Sequence, residues 1–204
     1  MSAKAPEAIN IQLAGVGGQG VLLISNIIGL ACVKHGLNVL SSEIHGMAQR
    51  GGVVWSTVRI GEVFSPMIAA GEADVLLAFE PVEAARAAEV VSKRTVVIIN
   101  LRAIVPFTVG TWGHKYPPVD DMIKALKGIS KKVVAVDAEK LAEKAGNKVA
   151  MNVVMLGALM GRGVLPEPDH IMKAAMSEKV PKKAVDLNMK AYDLGFKEAK
   201  ITRG

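Results

Sequence analysis

The feature that most restricts the fold is an apolar stretch followed by a glycine-rich turn and a segment with helical spacing. Residues 9–14 are short and aliphatic, as in a buried strand, and Gly15, Gly17 and Gly20 follow directly. From Gln19 onward, apolar residues recur at helical intervals. A strand that turns tightly through glycine into a helix predicts the first unit of a parallel sheet covered by helices.

The rest of the chain continues this alternation. Strands are predicted at residues 37–41, 53–60, 74–79, 95–99 and 132–136, and helices at residues 81–91, 120–126, 138–145 and 149–160. The pattern predicts an α/β fold: a Rossmann-like three-layer α/β/α sandwich with a mainly parallel sheet. The strand at 53–60 follows its predecessor through a loop and not a helix, so it is the strand for which antiparallel pairing is expected.

Less regular segments complete this picture. Residues 43–52 have no strong period and are predicted as a loop or a short helical turn, and residues 101–118 as an irregular surface excursion. Residues 149–160 are apolar all round, which predicts a helix buried on most sides. We expect one domain over residues 1–204, with a C-terminal helical extension over about 166–204.

Composition narrows the class of protein. Half of the residues are hydrophobic and only 4% are aromatic, so the core must be aliphatic. Two alternatives are equally open: the chain buries nearly all of these residues itself, or it buries a large apolar face against a partner. The longest apolar stretches are shorter than the ~20 residues of a membrane span, and no secretory signal is expected. A net charge of +6 without interleaved aromatic residues favours a solvated lysine face or an acidic protein partner over nucleic acid.

Cysteine and histidine usage argues against a metal centre in this chain. Cys32 is the only cysteine, which excludes an internal disulfide and a cysteine-ligated cluster, and we expect it to be a buried thiol in a reducing, cytoplasmic location. None of the four histidines has neighbours at metal-ligand spacing. We therefore expect no metal site.

The glycine turn allows two kinds of chemistry. Gly15, Gly17 and Gly20 satisfy the G-x-G-x-x-G pattern, and Glu43 lies 23 positions after Gly20, near where a dinucleotide site places its ribose-binding acid. A stand-alone NAD(P)- or nucleotide-binding enzyme is therefore one hypothesis. However, the chain shows no second half-site or substrate domain, and Gln19 could bind a phosphate, cap the helix or meet another chain.

A second polar cluster follows closely. Six residues in the loop at 43–52 form a candidate contact surface, namely Glu43, His45, Gln49, Arg50, Gly51 and Gly52. The alternative is a loop network satisfied within itself. We predict no catalytic residue here.

Several motifs together resemble a known family. The motifs GVGGQGV, SSEIHGMAQRGG and VWSTVRIG occur in this order and are followed by ADVLLAFEPVEAAR, VVIIN and NVVMLGAL. They resemble the gamma-type domain of 2-oxoacid:ferredoxin oxidoreductases over nearly the whole chain. The HGMAQRGG form resembles the indolepyruvate branch most closely, in its small subunit.

The resemblance implies a function shared with a partner. The family oxidatively decarboxylates a 2-oxoacid to an acyl-CoA and reduces ferredoxin. The indolepyruvate branch acts on arylpyruvates from aromatic amino acids. Thiamine diphosphate, Mg²⁺ and [4Fe–4S] clusters are expected in the large (alpha) subunit, with coenzyme A as co-substrate and no cofactor bound by this chain. A hetero-oligomer without nucleic acid or membrane binding is implied.

The resemblance also suggests roles for the two glycine-containing motifs. Five residues of the turn are candidates to bind a phosphate or coenzyme A, or to contact the partner, namely Gly15, Gly17, Gly18, Gln19 and Gly20. The loop at 43–52 is the candidate edge facing the partner or the active site. In it, Arg50 could pair with a carboxylate or a coenzyme A phosphate.

Overall fold

The computed structural model describes residues 8–46, 51–106, 109 and 115–200. Its strands are β1 (Ile9–Val16), β2 (Val39–His45), β3 (Val53–Ile60), β4 (Val75–Ala78), β5 (Val96–Asn100) and β6 (Lys132–Val136). Its α-helices are α1 (Val21–Lys34), α2 (Pro81–Arg86), α3 (Val119–Ile129), α4 (Ala138–Ala145), α5 (Met151–Gly161), α6 (Asp169–Lys179) and α7 (Val185–Ala199). Short 3₁₀ turns adjoin α2, α5 and α7.

One six-stranded sheet carries the fold, in the order β2-β3-β1-β4-β5-β6. The β1–β4, β4–β5 and β5–β6 pairs are parallel, whereas β3 pairs antiparallel with both β1 and β2. The predicted α/β class and the antiparallel strand at 53–60 are therefore confirmed. The antiparallel strand lies between β1 and β2, which no sequence pattern indicated.

One local prediction was wrong. Glu43 and His45 belong to β2, not to a loop or helical turn, and they pair with Ser56 and Val54 of β3. The two-residue alternation of a strand was not recognised here because β2 is a mostly exposed edge strand. Polar and apolar residues therefore both occur on its outer surface.

Helices cover the two faces of the sheet unequally. The larger core lies beneath α1 and α4–α7, and the smaller core lies beneath α2 and α3. The helices after residue 166 pack into the larger core, where Tyr192 is fully buried. Among the described residues, no helix is both long and apolar enough to cross a membrane.

The apolar helix α5 is buried as predicted and lies unusually close to α7. A Cβ atom on Gly157 would lie 2.0 Å from the Tyr192 carbonyl oxygen, and one on Gly195 would lie 1.9 Å from the Val154 carbonyl oxygen. Gly161 makes a similar approach to Phe196. Backbone packs directly on backbone here, so these glycines are required by the contact and not by a turn.

We expect Gly157→Ala to lower the free energy of unfolding by about 1–3 kcal/mol, because the new methyl group must push the two helix backbones apart. Gly128→Ala is the matched control, since among the described residues no atom beyond the adjoining backbone of α3 and the two neighbouring residues lies within 4 Å of the Cβ added to this exposed glycine. The control should gain about 0.5–1 kcal/mol from helix propensity. Urea unfolding of both variants measures the difference, and equal changes would contradict the close contact.

Candidate functional site

The glycine turn joins the carboxyl end of β1 to the amino end of α1, and crowding explains its composition. A Cβ on Gly15 would lie 2.8 Å from the Val21 side chain and 3.0 Å from Phe79. Gly18 and Gly20 have φ values of 98° and 73°, which side chains with a Cβ rarely adopt. The helix begins without a side-chain cap, so the turn leaves its first N–H groups without a side-chain acceptor at the cap position.

Gln19 is buried and holds the turn together. Its Oε1 accepts a hydrogen bond from the Val16 N–H at 2.9 Å, and its Nε2 donates to the Phe79 carbonyl at 2.8 Å. The side chain therefore connects the turn to the end of β4. This internal role is not one of the three considered for Gln19, and the helix-capping role is not observed, since α1 begins after Gly20 without a side-chain cap.

The two glycine-containing motifs of the sequence meet in the structure. The Gly17 N–H donates to the Gly52 carbonyl at 2.8 Å, and the Gly51 N–H donates to the Gly17 carbonyl at 3.3 Å. Gly51 has a φ of 70°. Residues 15–20 and 51–52 thus form one backbone unit at the carboxyl edge of β1. Gln49 and Arg50 lie outside the described residues.

Glu43 and His45 lie farther from the turn. Their side chains contact each other, with Nε2 and Oε2 separated by 3.4 Å, and both are exposed. Because β3 lies between β2 and β1, Glu43 is two strand spacings, roughly 10 Å, from β1. A dinucleotide site instead needs the strand that carries its ribose-binding acid directly beside β1. The topology therefore disfavours the stand-alone dinucleotide-binding hypothesis.

A cleft of about 340 Å³ opens beside the glycine turn. Arg102 and Lys148 bring positive charge to it, and the Arg102 Nε lies 3.0 Å from the Glu139 carboxylate. Val149, at its rim, is 78% exposed. The cleft residues are Gly17, Gly18, Gln19, Arg102, Ile104, Glu139, Lys148, Val149 and Met151. Sequence reasoning missed Arg102 and Lys148, which come from segments distant from the glycine motif.

A buried carboxylate fixes the wall of this cleft. Glu80 accepts hydrogen bonds from the Glu83 N–H, the Ile104 N–H and the Tyr116 hydroxyl. Burial and the neighbouring Glu80 carboxylate raise the pKa of the Tyr116 phenol above its ordinary value, so it remains a donor. Glu80 thereby connects the segment after β5 to the start of α2.

Glu83 is also buried and accepts hydrogen bonds from the Trp55 indole at 3.1 Å and from Arg86 at 2.8 Å. Burial raises the pKa of this carboxyl above its usual range. The Trp55 contact links β3 to α2 across the smaller core. These partners give both carboxylates structural roles near the glycine turn.

Cys32 is a buried thiol, as predicted. Its Sγ donates to the Glu167 Oε1 at 2.9 Å, and burial raises its pKa well above the ordinary value. A protonated, enclosed thiol is a poor metal ligand and a poor nucleophile. Among the described residues, no group of three or more potential ligands could hold a metal ion.

We expect Gln19→Ala to lower the free energy of unfolding by about 2 kcal/mol, because the buried Val16 N–H loses its side-chain acceptor and the Phe79 carbonyl keeps only its hydrogen bond from Asn100. Asn38→Ala is the control, since it removes an exposed side-chain hydrogen bond to Glu62 and should cost at most about 0.5 kcal/mol. Chemical denaturation checks both variants. Similar losses would show that Gln19 does not hold the turn.

Comparison with known proteins agrees with this architecture. Residues 10–198 match the pyruvate ferredoxin/flavodoxin oxidoreductase family. The chain is 46% identical to the indolepyruvate oxidoreductase subunit IorB of Archaeoglobus fulgidus, over 94% of this chain and 95% of the relative. It is 43% identical to the IorB subunit of Methanothermobacter thermautotrophicus, over 92% and 95%.

A solved structure is similar over the same extent. The keto/oxoacid ferredoxin oxidoreductase gamma subunit from Geobacter sulfurreducens superposes with a TM-score of 0.66 at 25% identity, over 94% of this chain and 98% of that chain. Sequence identity and fold similarity therefore indicate the same family over nearly the full length of the chain. The chain belongs to the pyruvate ferredoxin/flavodoxin oxidoreductase family.

Proposed function

We propose that this chain is the small subunit of an indolepyruvate:ferredoxin oxidoreductase in the cytoplasm. The complex converts an arylpyruvate, coenzyme A and oxidised ferredoxin to an aryl-acyl-CoA, carbon dioxide and reduced ferredoxin. The observation that carries this proposal is the identity of 43–46% to IorB subunits over more than nine-tenths of both chains. The backbone hydrogen bonds that join Gly17 to Gly51 and Gly52 support it, because they unite the two glycine motifs that carry the family resemblance.

The chemistry of this chain's residues implies a catalytic partner. A [4Fe–4S] cluster requires four thiolates, and this chain has one cysteine, whose thiol is enclosed against Glu167. The sequence also has no Gly-Asp-Gly segment of the kind expected for thiamine diphosphate and Mg²⁺. The donor set does not fit these groups, so the large subunit supplies the carbanion and electron-transfer chemistry.

Reconstitution tests whether the large subunit carries the cofactor chemistry and this chain is required for the activity of the complex. The chain expressed alone should be colourless and should not reduce a viologen dye with indolepyruvate and coenzyme A. Addition of the large thiamine-type subunit should produce dye reduction that depends on both substrates. A lone chain that turns over the oxoacid, or a large subunit that is fully active without this chain, would contradict the proposal.

We further propose that the cleft beside the glycine turn receives the phosphate-bearing part of coenzyme A. The cleft combines two cationic side chains, Arg102 and Lys148, with the Gly18 backbone of the turn beside the start of α1, since the Gly17 and Gln19 N–H groups already donate to the Gly52 and Val16 carbonyls. The start of a helix favours a phosphate, and a guanidinium can bind it through two donors. The apolar rim at Val149 suits the uncharged arm of the same molecule or the partner surface.

Charge removal in the cleft tests this second proposal in the reconstituted complex. Arg102→Ala and Lys148→Ala should each raise the KM for coenzyme A about tenfold, because each loses a charge-assisted hydrogen bond. The KM for indolepyruvate should not change. Lys93→Ala is the control, since this exposed lysine precedes β5 and so lies near the amino ends of the parallel strands, whereas the cleft lies beside their carboxyl ends.

The comparison with Lys93→Ala separates a local effect from the loss of overall positive charge. An unchanged KM for coenzyme A in both cleft variants would overturn the assignment of the cleft. It would leave the proposed subunit function intact, since that function is tested by reconstitution alone.

A further inference from the structure

In the part of the chain that the structure describes, β2 is the outermost strand of the sheet and one of its edges is unpaired. It pairs with β3 on one side, and no other described strand pairs with it. The Gly46 N–H donates to the Val53 carbonyl and the Gly61 N–H donates to the Asn38 carbonyl, so even-numbered residues of β2 face β3. Alternation then directs the N–H and C=O groups of Val39, Ser41, Glu43 and His45 to the free edge.

Of the usual protections against strand pairing, this edge carries one charged residue, Glu43. The sequence of β2, VLSSEIH, has no proline, lysine or arginine, and its seven residues stay in continuous register with β3. Natural edge strands are commonly interrupted by such residues or by bulges. Leu40 and Ile44 are 37% and 52% exposed on the face of the sheet that also carries Trp55. The strand therefore offers both free backbone groups and apolar side chains.

We propose that two copies of this chain pair through β2, antiparallel, about a twofold axis at Ser42. In this register Val39 faces His45 of the second copy and Ser41 faces Glu43, and these pairs exchange the outward backbone hydrogen bonds. Leu40 lies opposite Ile44 in the closer, non-hydrogen-bonded pairs. The result is a continuous twelve-stranded sheet with apolar contacts on one face of the junction.

The side chains select this register over its neighbours. Only shifts of two residues keep outward-facing groups opposite one another. A shift in one direction places Glu43 directly opposite Glu43 of the second copy, which is destabilising. A shift in the other direction places Leu40 opposite Ser42 and leaves Ile44 without an apolar partner. The self-complementary arrangement is the argument for a second copy as the occupant of this edge.

Cysteine cross-linking of the isolated full-length chain tests the register. Cα atoms of non-hydrogen-bonded antiparallel pairs lie about 4.5 Å apart, within disulfide range, so Ser42→Cys should form an intermolecular disulfide under mild oxidation. Cys32 is fully buried and should not interfere. Leu40→Cys is the matched control, since its two copies would be four residues, roughly 14 Å, out of register.

We expect about tenfold more disulfide dimer from Ser42→Cys than from Leu40→Cys at equal concentration. Equal yields would indicate random collision and overturn the proposal. A cross-link that forms in the isolated chain but disappears in the reconstituted complex would show that the large subunit occupies the edge, and would also overturn the twofold junction as a feature of the enzyme.

A backbone substitution tests the same junction without cysteine. Ser41→Pro removes an outward N–H but no hydrogen bond to β3, so the fold should tolerate it. It should raise the dimer dissociation constant about thirtyfold in analytical ultracentrifugation, because both copies lose a bond. Ser41→Thr retains the N–H and should dimerise like the unmodified chain. An unmodified chain that sediments as a monomer at high micromolar concentration would contradict the proposal.

Discussion

The insertion of β3 between β1 and β2 is the constraint on which the rest of the structure depends. It places an antiparallel strand where a dinucleotide-binding sheet has a parallel neighbour. The end of β3 that enters from Gly51 and Gly52 thereby reaches the glycine turn and bonds to Gly17. The same insertion moves Glu43 away from the turn and leaves β2 at the edge. The position of β3 thus accounts both for the contact between the two glycine motifs and for the exposed edge strand β2.

The helices that cover the larger core position other residues of the cleft. The α5 and α7 backbones pack in contact through their glycines, and both helices join the core beneath β1 and β5. The 3₁₀ turn that precedes α5 carries Lys148 and Val149 to the cleft. A rigid helix pair therefore positions side chains beside a turn made of backbone. This arrangement is consistent with the proposed role of a subunit that shapes a site whose reactive groups lie in another chain.

Several features were accessible from the sequence because they depend on local residue types. Aliphatic strands, the glycine turn, the apolar helix α5 and the buried Cys32 follow from spacing and side-chain size, and the structure agrees with them. The single cysteine and the lack of a Gly-Asp-Gly segment likewise directed the proposed cofactor chemistry to a partner. The edge strand β2 was less accessible, because a strand exposed on one side lacks the apolar alternation that a buried one displays.

By itself, the sequence determined the α/β class, the helix and strand content and the family resemblance, because these depend on local spacing and on motifs of adjacent residues. Only the tertiary structure decided the strand order, the bond between Gly17 and Gly52, and the meeting of Arg102, Lys148 and Glu139 at one cleft. These features join residues dozens of positions apart. Hydrogen-bond register and core packing bring such residues together, and neither leaves a periodic signal in a single chain.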